Sequence, residues 1–377
     1  MKIVITGGGT GGHVFPGLAV AEALQRLDPD VDIVFAGTAQ GMESRLVPSA
    51  GYRFRTIAAS GVRGMGWGAR FQFMANLLVG TLQSLVLLIS FRPDIVLGTG
   101  GYVGVPVMAA ARLLRRTIVL QEQNSIPGSA NRVTARWATK VYLGFSDAAA
   151  AFPLVETVWT GNPVRLGVVE ALAGARARSR TLSRPLRVLV FGGSRGAQTL
   201  NRAMVEAAAI WASRDDLELW IQTGPIDHHA VSLAYAAIAD AWRKGGRRLL
   251  VESFIEDMPA ALGWADLAVT RAGAMTLAEL TVAGLPAILV PFPYATDDHQ
   301  TRNAQSLSRI GAAELLPDDM CNGASLVALV DHLAAHPDSL AAMAHDVSQQ
   351  ARPDAAMEIA VDLMRLTGAL PADAERS

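Results

Sequence analysis

Short apolar runs rich in β-branched residues recur along the chain, each followed by a glycine-marked or polar turn and then by residues at helical spacing. "KIVIT", "VDIVFAG", "PDIVLGTG", "TIVLQ" and "KVYLGF" lie in the first half, and "LRVLVFGG", "LELWIQTG", "RLLVES", "ADLAVTRAG", "PAILVPFP" and "AAELLP" in the second. Strands of this kind separated by helical segments of about 10–20 residues predict parallel α/β sheets. The two halves are parted by "WTGNPVRLGVVEALAGARARSRTLSRP", which carries Gly161, Pro163, a basic run and Pro185. Beyond it "RVLVFGGSRGAQTLN" repeats the strand, glycine turn and helix of the N-terminus. Two Rossmann-like domains are therefore expected, residues 1–162 and 163–340, with a deep cleft between their sheets.

One segment changes the picture only by its apolarity. "FMANLLVGTLQSLVLLISFRP" is broken by Asn76, Gln83 and Ser84. Its uninterrupted core falls short of the about 20 residues a bilayer span requires, so an amphipathic or buried helix is expected. The whole chain, at 377 residues with 51% hydrophobic and 18% charged residues, is long enough to bury two cores. A net charge of −1 gives no electrostatic case for nucleic acid. The one cysteine, Cys321, excludes a disulfide framework and points to a reducing compartment. No charged-then-apolar leader opens the sequence, which suggests the cytosol.

The candidate chemistry begins at "GGGTGGHVFPG". Gly7, Gly9 and Gly12 fit the G-x-G-x-x-G of a dinucleotide fold, but the second strand closes on Ala36, Gly37 and Thr38, where an acidic ribose ligand is wanted. That mismatch weighs against an NAD-dependent oxidoreductase, and no P-loop motif occurs. Two further glycine turns follow strands, "GTGGYVG" and "FGGSRGA". Such turns either make tight strand-to-helix geometry or admit an anion to free helix N–H groups, and three of them favour more than one phosphate-bearing ligand. His13 behind the first turn is either a base or a backbone hydrogen-bonding partner. Glu122 and Asn124 stand at the carboxyl end of a strand, where open α/β sheets bind ligands, although Glu122 also fits a helix cap. Glu279 follows Thr276 by three residues, the spacing of a capping box, unless its helix starts earlier at "RAGA" and leaves the carboxylate for ligand. Asp297, Asp298, His299 and Gln300 share one loop and suit either solvent or sugar hydroxyls. Adjacent acidic and histidine residues without a further ligand do not make a metal site, and none is expected.

Taken together, "GGGTGGHVFPGLAVAEAL", "GTGGYVGVP", "QEQNSIPGSANR", "GNPVR", "FGGSRGAQTLN", "FIEDM", "TRAGAMTLAEL" and "PFPYATDDHQTRNA" resemble, in order and spacing, the MurG family of bacterial N-acetylglucosaminyltransferases. The resemblance runs from about residue 1 to about residue 365. It implies a GT-B fold, an acceptor domain followed by a donor domain, and a final segment, 341–377, whose helix returns to the first domain. It implies inverting transfer of GlcNAc from UDP-GlcNAc to the C4 hydroxyl of MurNAc in lipid I, with no cofactor, at the cytoplasmic face of the membrane.

The family pattern also assigns residues. Gly8, Gly9, Gly11, Gly100, Gly101 and Tyr102 would meet the acceptor diphosphate, and Ser194 in its glycine turn the donor diphosphate. Glu279 would hold the ribose, Ile255 and Met258 the uracil, and Asn124, His299 and Gln300 the GlcNAc. Thr10, Gly11, Gly12, Ala274, Met275 and Thr276 would complete the donor contacts, with Arg165 near phosphate. The base would be His13, or else Glu122. Ala272 and His299 depart from the common serine and glutamine of the family. An oxidoreductase and a non-catalytic nucleotide-sugar-binding protein are the competing readings, separable by turnover of labelled UDP-GlcNAc with a lipid I analogue.

Overall fold

A computed structural model describes residues 1–61, 67–176, 185–193, 196–244 and 247–370. Two compact units emerge: Met1–Leu166 with the C-terminal segment from Arg352, and Gly167–Ala351.

The first unit is built on seven parallel strands, β1 (Lys2–Gly7), β2 (Asp32–Gly37), β3 (Arg53–Thr56), β4 (Ile95–Gly100), β5 (Thr117–Glu122), β6 (Lys140–Leu143) and β7 (Glu156–Trp159). Their order across the sheet is β3-β2-β1-β4-β5-β6-β7. Alternation along each strand decides which helix it meets. Ile3 and Ile5 pack with Val14 and Leu18 of the helix Gly11–Leu27, while Val4 packs on the other face with Leu88 and Val107. Successive strands are added to one side of β1 up to β3 and to the other side from β4 on, and ligands bind such sheets where the strand order switches. Both N-terminal glycine turns lie at that point.

The second unit repeats the plan with β8 (Leu186–Phe191), β9 (Leu217–Gln222), β10 (Leu249–Glu252), β11 (Leu267–Thr270), β12 (Ala287–Leu289) and β13 (Ala313–Leu315), ordered β10-β9-β8-β11-β12-β13. Its switch lies between β8 and β11. Two parallel α/β domains are what the expected GT-B fold requires. Cys321 is buried in this unit's core, and burial pushes its thiol up to about 11.

The boundaries differ from those read off the sequence. The helix Pro337–Gln349, placed across the expected border at 340, packs on Ala274–Ala283 and stays with the second unit. The helix Ala355–Leu366 lies in the first unit against Gly11–Leu27, burying Ile359, Ala360, Leu363 and Met364. Asp362 on its polar edge accepts from Lys140 Nζ at 2.8 Å and from the Tyr142 hydroxyl at 2.7 Å. Burial, reinforced by that carboxylate, holds the Tyr142 phenol far above its ordinary range.

The apolar segment forms one helix, Trp67–Phe91, longer than the sequence suggested. By length and composition its stretch Gln72–Phe91 suffices to cross a membrane. The interrupting polar residues explain why it nevertheless belongs to the fold of the first unit. Gln83 Oε1 accepts from Ala58 N at 2.7 Å, Asn76 meets Ser60, and Ser84 donates to its own helix at Gly80 O. Gly80 itself leaves room for Ala58 O, which an added Cβ would meet at 2.0 Å. This face packs on the helix Gly104–Leu113, while the opposite face is apolar and exposed.

Candidate functional site

In the first unit the site grows from the ends of β1 and β4. Thr10, in extended conformation, precedes the helix Gly11–Leu27 and offers no side-chain cap, so the N–H end of that helix is left to the loop. Gly9 sits at φ +86°, and Gly100 and Gly101 at +99° and +82°, a region that favours glycine. The two turns interlock: a Cβ on Gly101 would lie 2.5 Å from Gly8 O. Tyr102, 40% exposed, stands beside Gly9. The residues expected at the acceptor diphosphate, Gly8, Gly9, Gly11, Gly100, Gly101 and Tyr102, are thus neighbours, with Thr10, Gly12 and His13 among them.

A residue that the sequence reading passed over braces this loop. Glu43, 1% exposed, accepts from Gly9 N at 2.9 Å, from Thr38 N at 2.9 Å and from the Thr38 hydroxyl at 2.8 Å. Gly8, Gly37 and Gly41 have no space for a Cβ because its side chain fills it. A carboxylate therefore does stand near the end of β2, but it faces inward and is spent on backbone. The signal was present in "GTAQGMES", where two glycines bracket the approach to an acidic residue at a helix start.

His13 is half-buried and its Nδ1 lies 2.9 Å from Gln123 Oε1. Glu122, its alternative as base, is 1% exposed. Its oxygens accept from Asn124 N at 2.9 Å, Gly128 N at 3.1 Å, Asn131 Nδ2 at 2.9 Å and, at 3.4 Å, Asn124 Nδ2. Four donors, three from this loop and one from Asn131 in the helix Ser129–Thr134, fill both oxygens, so the carboxylate braces the loop. Asn124 is half-buried on the same loop. Arg165, expected in the donor domain, is an exposed residue of the first unit stacked over Phe15 at 5.8 Å.

In the second unit, Gly193 and Gly196 take φ +83° and +79° after β8, and Gly196 lies so close to Thr223 O that a Cβ would meet it at 2.1 Å. Ser194 lies outside the described residues. Gln222, 2% exposed, ties this turn to the expected uracil motif: its Nε2 donates to Gly193 O at 3.0 Å and its Oε1 accepts from Ile255 N at 3.0 Å. Met258 opens the helix Met258–Trp264, capped by Asp257 accepting from Ala260 N. Across the switch, the helix Ala274–Ala283 starts at Gly273 without a side-chain cap. Glu279 is its sixth residue, so the capping-box reading with Thr276 does not apply, and Ala274, Met275, Thr276 and Glu279 occupy its first two turns. Arg271, 8% exposed, holds the preceding loop by donating to Val290 O, Pro291 O and Asp318. His299 Nδ1 meets Thr296 O at 2.7 Å, and Gln300 Oε1 accepts from Phe292 N at 3.0 Å, so both side chains are partly engaged in shaping their loop. Among the described residues no group of three or more histidine, cysteine or acidic side chains converges as a metal site.

Two halves of one family model pattern cover the chain: the glycosyltransferase family 28 N-terminal domain matches residues 3–143 and the C-terminal domain residues 187–359. A curated UDP-N-acetylglucosamine--N-acetylmuramyl-(pentapeptide) pyrophosphoryl-undecaprenol N-acetylglucosamine transferase of Geobacter sulfurreducens is 41% identical over 97% of this chain and 99% of its own. The chain belongs to the MurG family. The family enzyme of Acidithiobacillus ferrooxidans is 42% identical over 98% of this chain and 99% of its own. The crystal structure of Acinetobacter baumannii MurG superposes with a TM-score of 0.76 at 32% identity, covering 97% of this chain and 99% of that one. A UDP-GlcNAc 2-epimerase from Neisseria meningitidis, at 14% identity and a TM-score of 0.66, shares the fold alone. MurG membership accounts for the repeated α/β plan and for both sets of glycine turns.

Proposed function

We propose that this chain transfers GlcNAc from UDP-GlcNAc to the C4 hydroxyl of MurNAc in lipid I, with inversion, forming lipid II for peptidoglycan synthesis. One observation carries the reading: relatives named for this transferase match at about 40% identity from end to end. In the reaction, the acceptor oxygen attacks the anomeric carbon as its proton passes to His13 Nε2, and the bond to the UDP oxygen breaks with its electron pair leaving on UDP. The start of the helix Gln198–Ile210, which Ala197 leaves without a side-chain cap, would receive that charge. Incubation with labelled UDP-GlcNAc and a lipid I analogue should yield lipid-linked disaccharide and UDP. Binding of donor without product would favour the non-catalytic reading.

Glu279 is assigned to the ribose. Charge-assisted hydrogen bonds to two hydroxyls are worth about 1.5–3 kcal/mol each, so Glu279→Ala should weaken UDP binding by about 10-fold or more. Calorimetric titration with UDP measures it, and a simultaneous thermal melt separates lost donor affinity from lost stability. Unchanged affinity would remove the assignment.

The enzyme is also assigned to the cytoplasmic membrane surface, where its lipid acceptor resides. The support is the outer face of Trp67–Phe91, on which Met74, Leu78, Leu82, Val86 and Ile89 recur every three or four residues and are 54–69% exposed. Arg92 follows the helix, and Arg112 and Arg115 end the helix packed against it, a combination that inserts apolar side chains while attracting anionic headgroups. The protein should pellet with anionic vesicles at low salt, and Leu82→Glu with Val86→Glu should leave it in the supernatant without lowering its melting temperature.

A further inference from the structure

Gln123 belongs to no motif assignment, yet it is 1% exposed and touches His13. Its Nε2 lies 2.7 Å from Thr99 O and 3.1 Å from Gln121 O, and it also meets Gln121 Oε1. All three partners are acceptors, so this end of the amide is the NH2 group. The other end, 2.9 Å from His13 Nδ1, is then the oxygen. Two more buried amides close the accounting. Gln121 Nε2 donates to Asn162 Oδ1 at 3.0 Å, and Asn162 Nδ2 donates to Gln123 O at 2.9 Å. Reversing any one of them would set like groups against each other at buried positions, at about 1–3 kcal/mol for each buried group left unpaired.

An amide oxygen can only accept. We propose that Gln123 is a positioning residue that holds His13 as the Nδ1–H tautomer, leaving the lone pair on Nε2 for the acceptor hydroxyl's proton. The inference rests on His13 being the base. Ring orientation is restricted by the same surroundings: a Cβ on Gly100 would lie 2.9 Å from His13 Nδ1, and Thr99 Oγ1 donates to His13 O at 2.6 Å. Among the described residues Nε2 has no hydrogen-bond partner of its own. A neutral amide orients the imidazole without placing a second negative charge beside a turn expected to receive diphosphate, as a carboxylate partner would.

The test reads the tautomer directly. In full-length protein carrying 15N-histidine, at a pH where imidazoles are neutral, the His13 resonances are assigned by their loss in His13→Gln. Nε2 should show a pyridine-like shift and Nδ1 a pyrrole-like one; the reverse pattern, or an equal mixture, in the wild-type protein overturns the proposal. Gln123→Leu, checked by a thermal melt, should convert the ring to a tautomer mixture and lower kcat by about 10–100-fold, the usual weight of a hydrogen bond that orients a functional histidine. The dissociation constant for UDP-GlcNAc should stay at the wild-type value. A folded Gln123→Leu with wild-type tautomer and kcat overturns the positioning role alone. Normal turnover in His13→Gln removes the base assignment and the proposal with it.

Discussion

His13→Ala is expected to lose most turnover, about 10²–10⁴-fold in kcat, while binding UDP-GlcNAc with near wild-type affinity. The physical ground is the separation of labour between the two units. His13 closes the glycine turn of the first, whereas the candidate donor residues Ile255, Met258 and Glu279 belong to the second. Removing an imidazole that takes the acceptor's proton acts on the chemical step. It leaves untouched the carboxylate, the glycine turn and the helix start that would hold the nucleotide. Measuring kcat and the donor dissociation constant decides the matter. A variant with near-normal kcat would reduce His13 to a loop-shaping residue.

Glu122→Gln is expected to act on stability first. Its carboxylate accepts from the loop N–H groups of Asn124 and Gly128 and from the Asn131 amide. A glutamine there presents NH2 to at least one of those donors and leaves it unpaired at a buried position, costing about 1–3 kcal/mol. For a unit of this size each kcal/mol corresponds to about 2–4 °C in melting temperature. Below its melting temperature the variant should keep kcat near the wild-type value, because the proton acceptor is unchanged. Were Glu122 the base, the same variant would abolish turnover as well. One substitution, read by melt and by kcat, therefore separates a brace from a base.

Both outcomes depend on side chains whose partners no sequence window contains. Eleven strands were legible as apolar runs, most plainly those buried on both faces, as in "DIVFAG" and "LRVLVF". β3 and β7 were not, since "RFRT" and "ETVW" lie at the two edges of the sheet, partly exposed, and carry no apolar run. The helix Pro337–Gln349 was divided between domains because its spacing shows a buried face but not which surface buries it.

The sequence by itself determined the alternation of strand and helix, the duplication into two α/β domains, the glycine turns and the family. These follow from local periodicity and from backbone conformations that only certain residues adopt. Tertiary structure alone decided what the polar residues do. Glu43 reaches Gly9 across 34 residues, and Gln123 reaches His13 across 110. Glu122, which by its place in the chain suited either substrate or loop, accepts from the loop that follows it and from Asn131 of the next helix. A buried polar group takes its role from whichever donors and acceptors the fold brings within about 3 Å, and chain distance carries no information about that set.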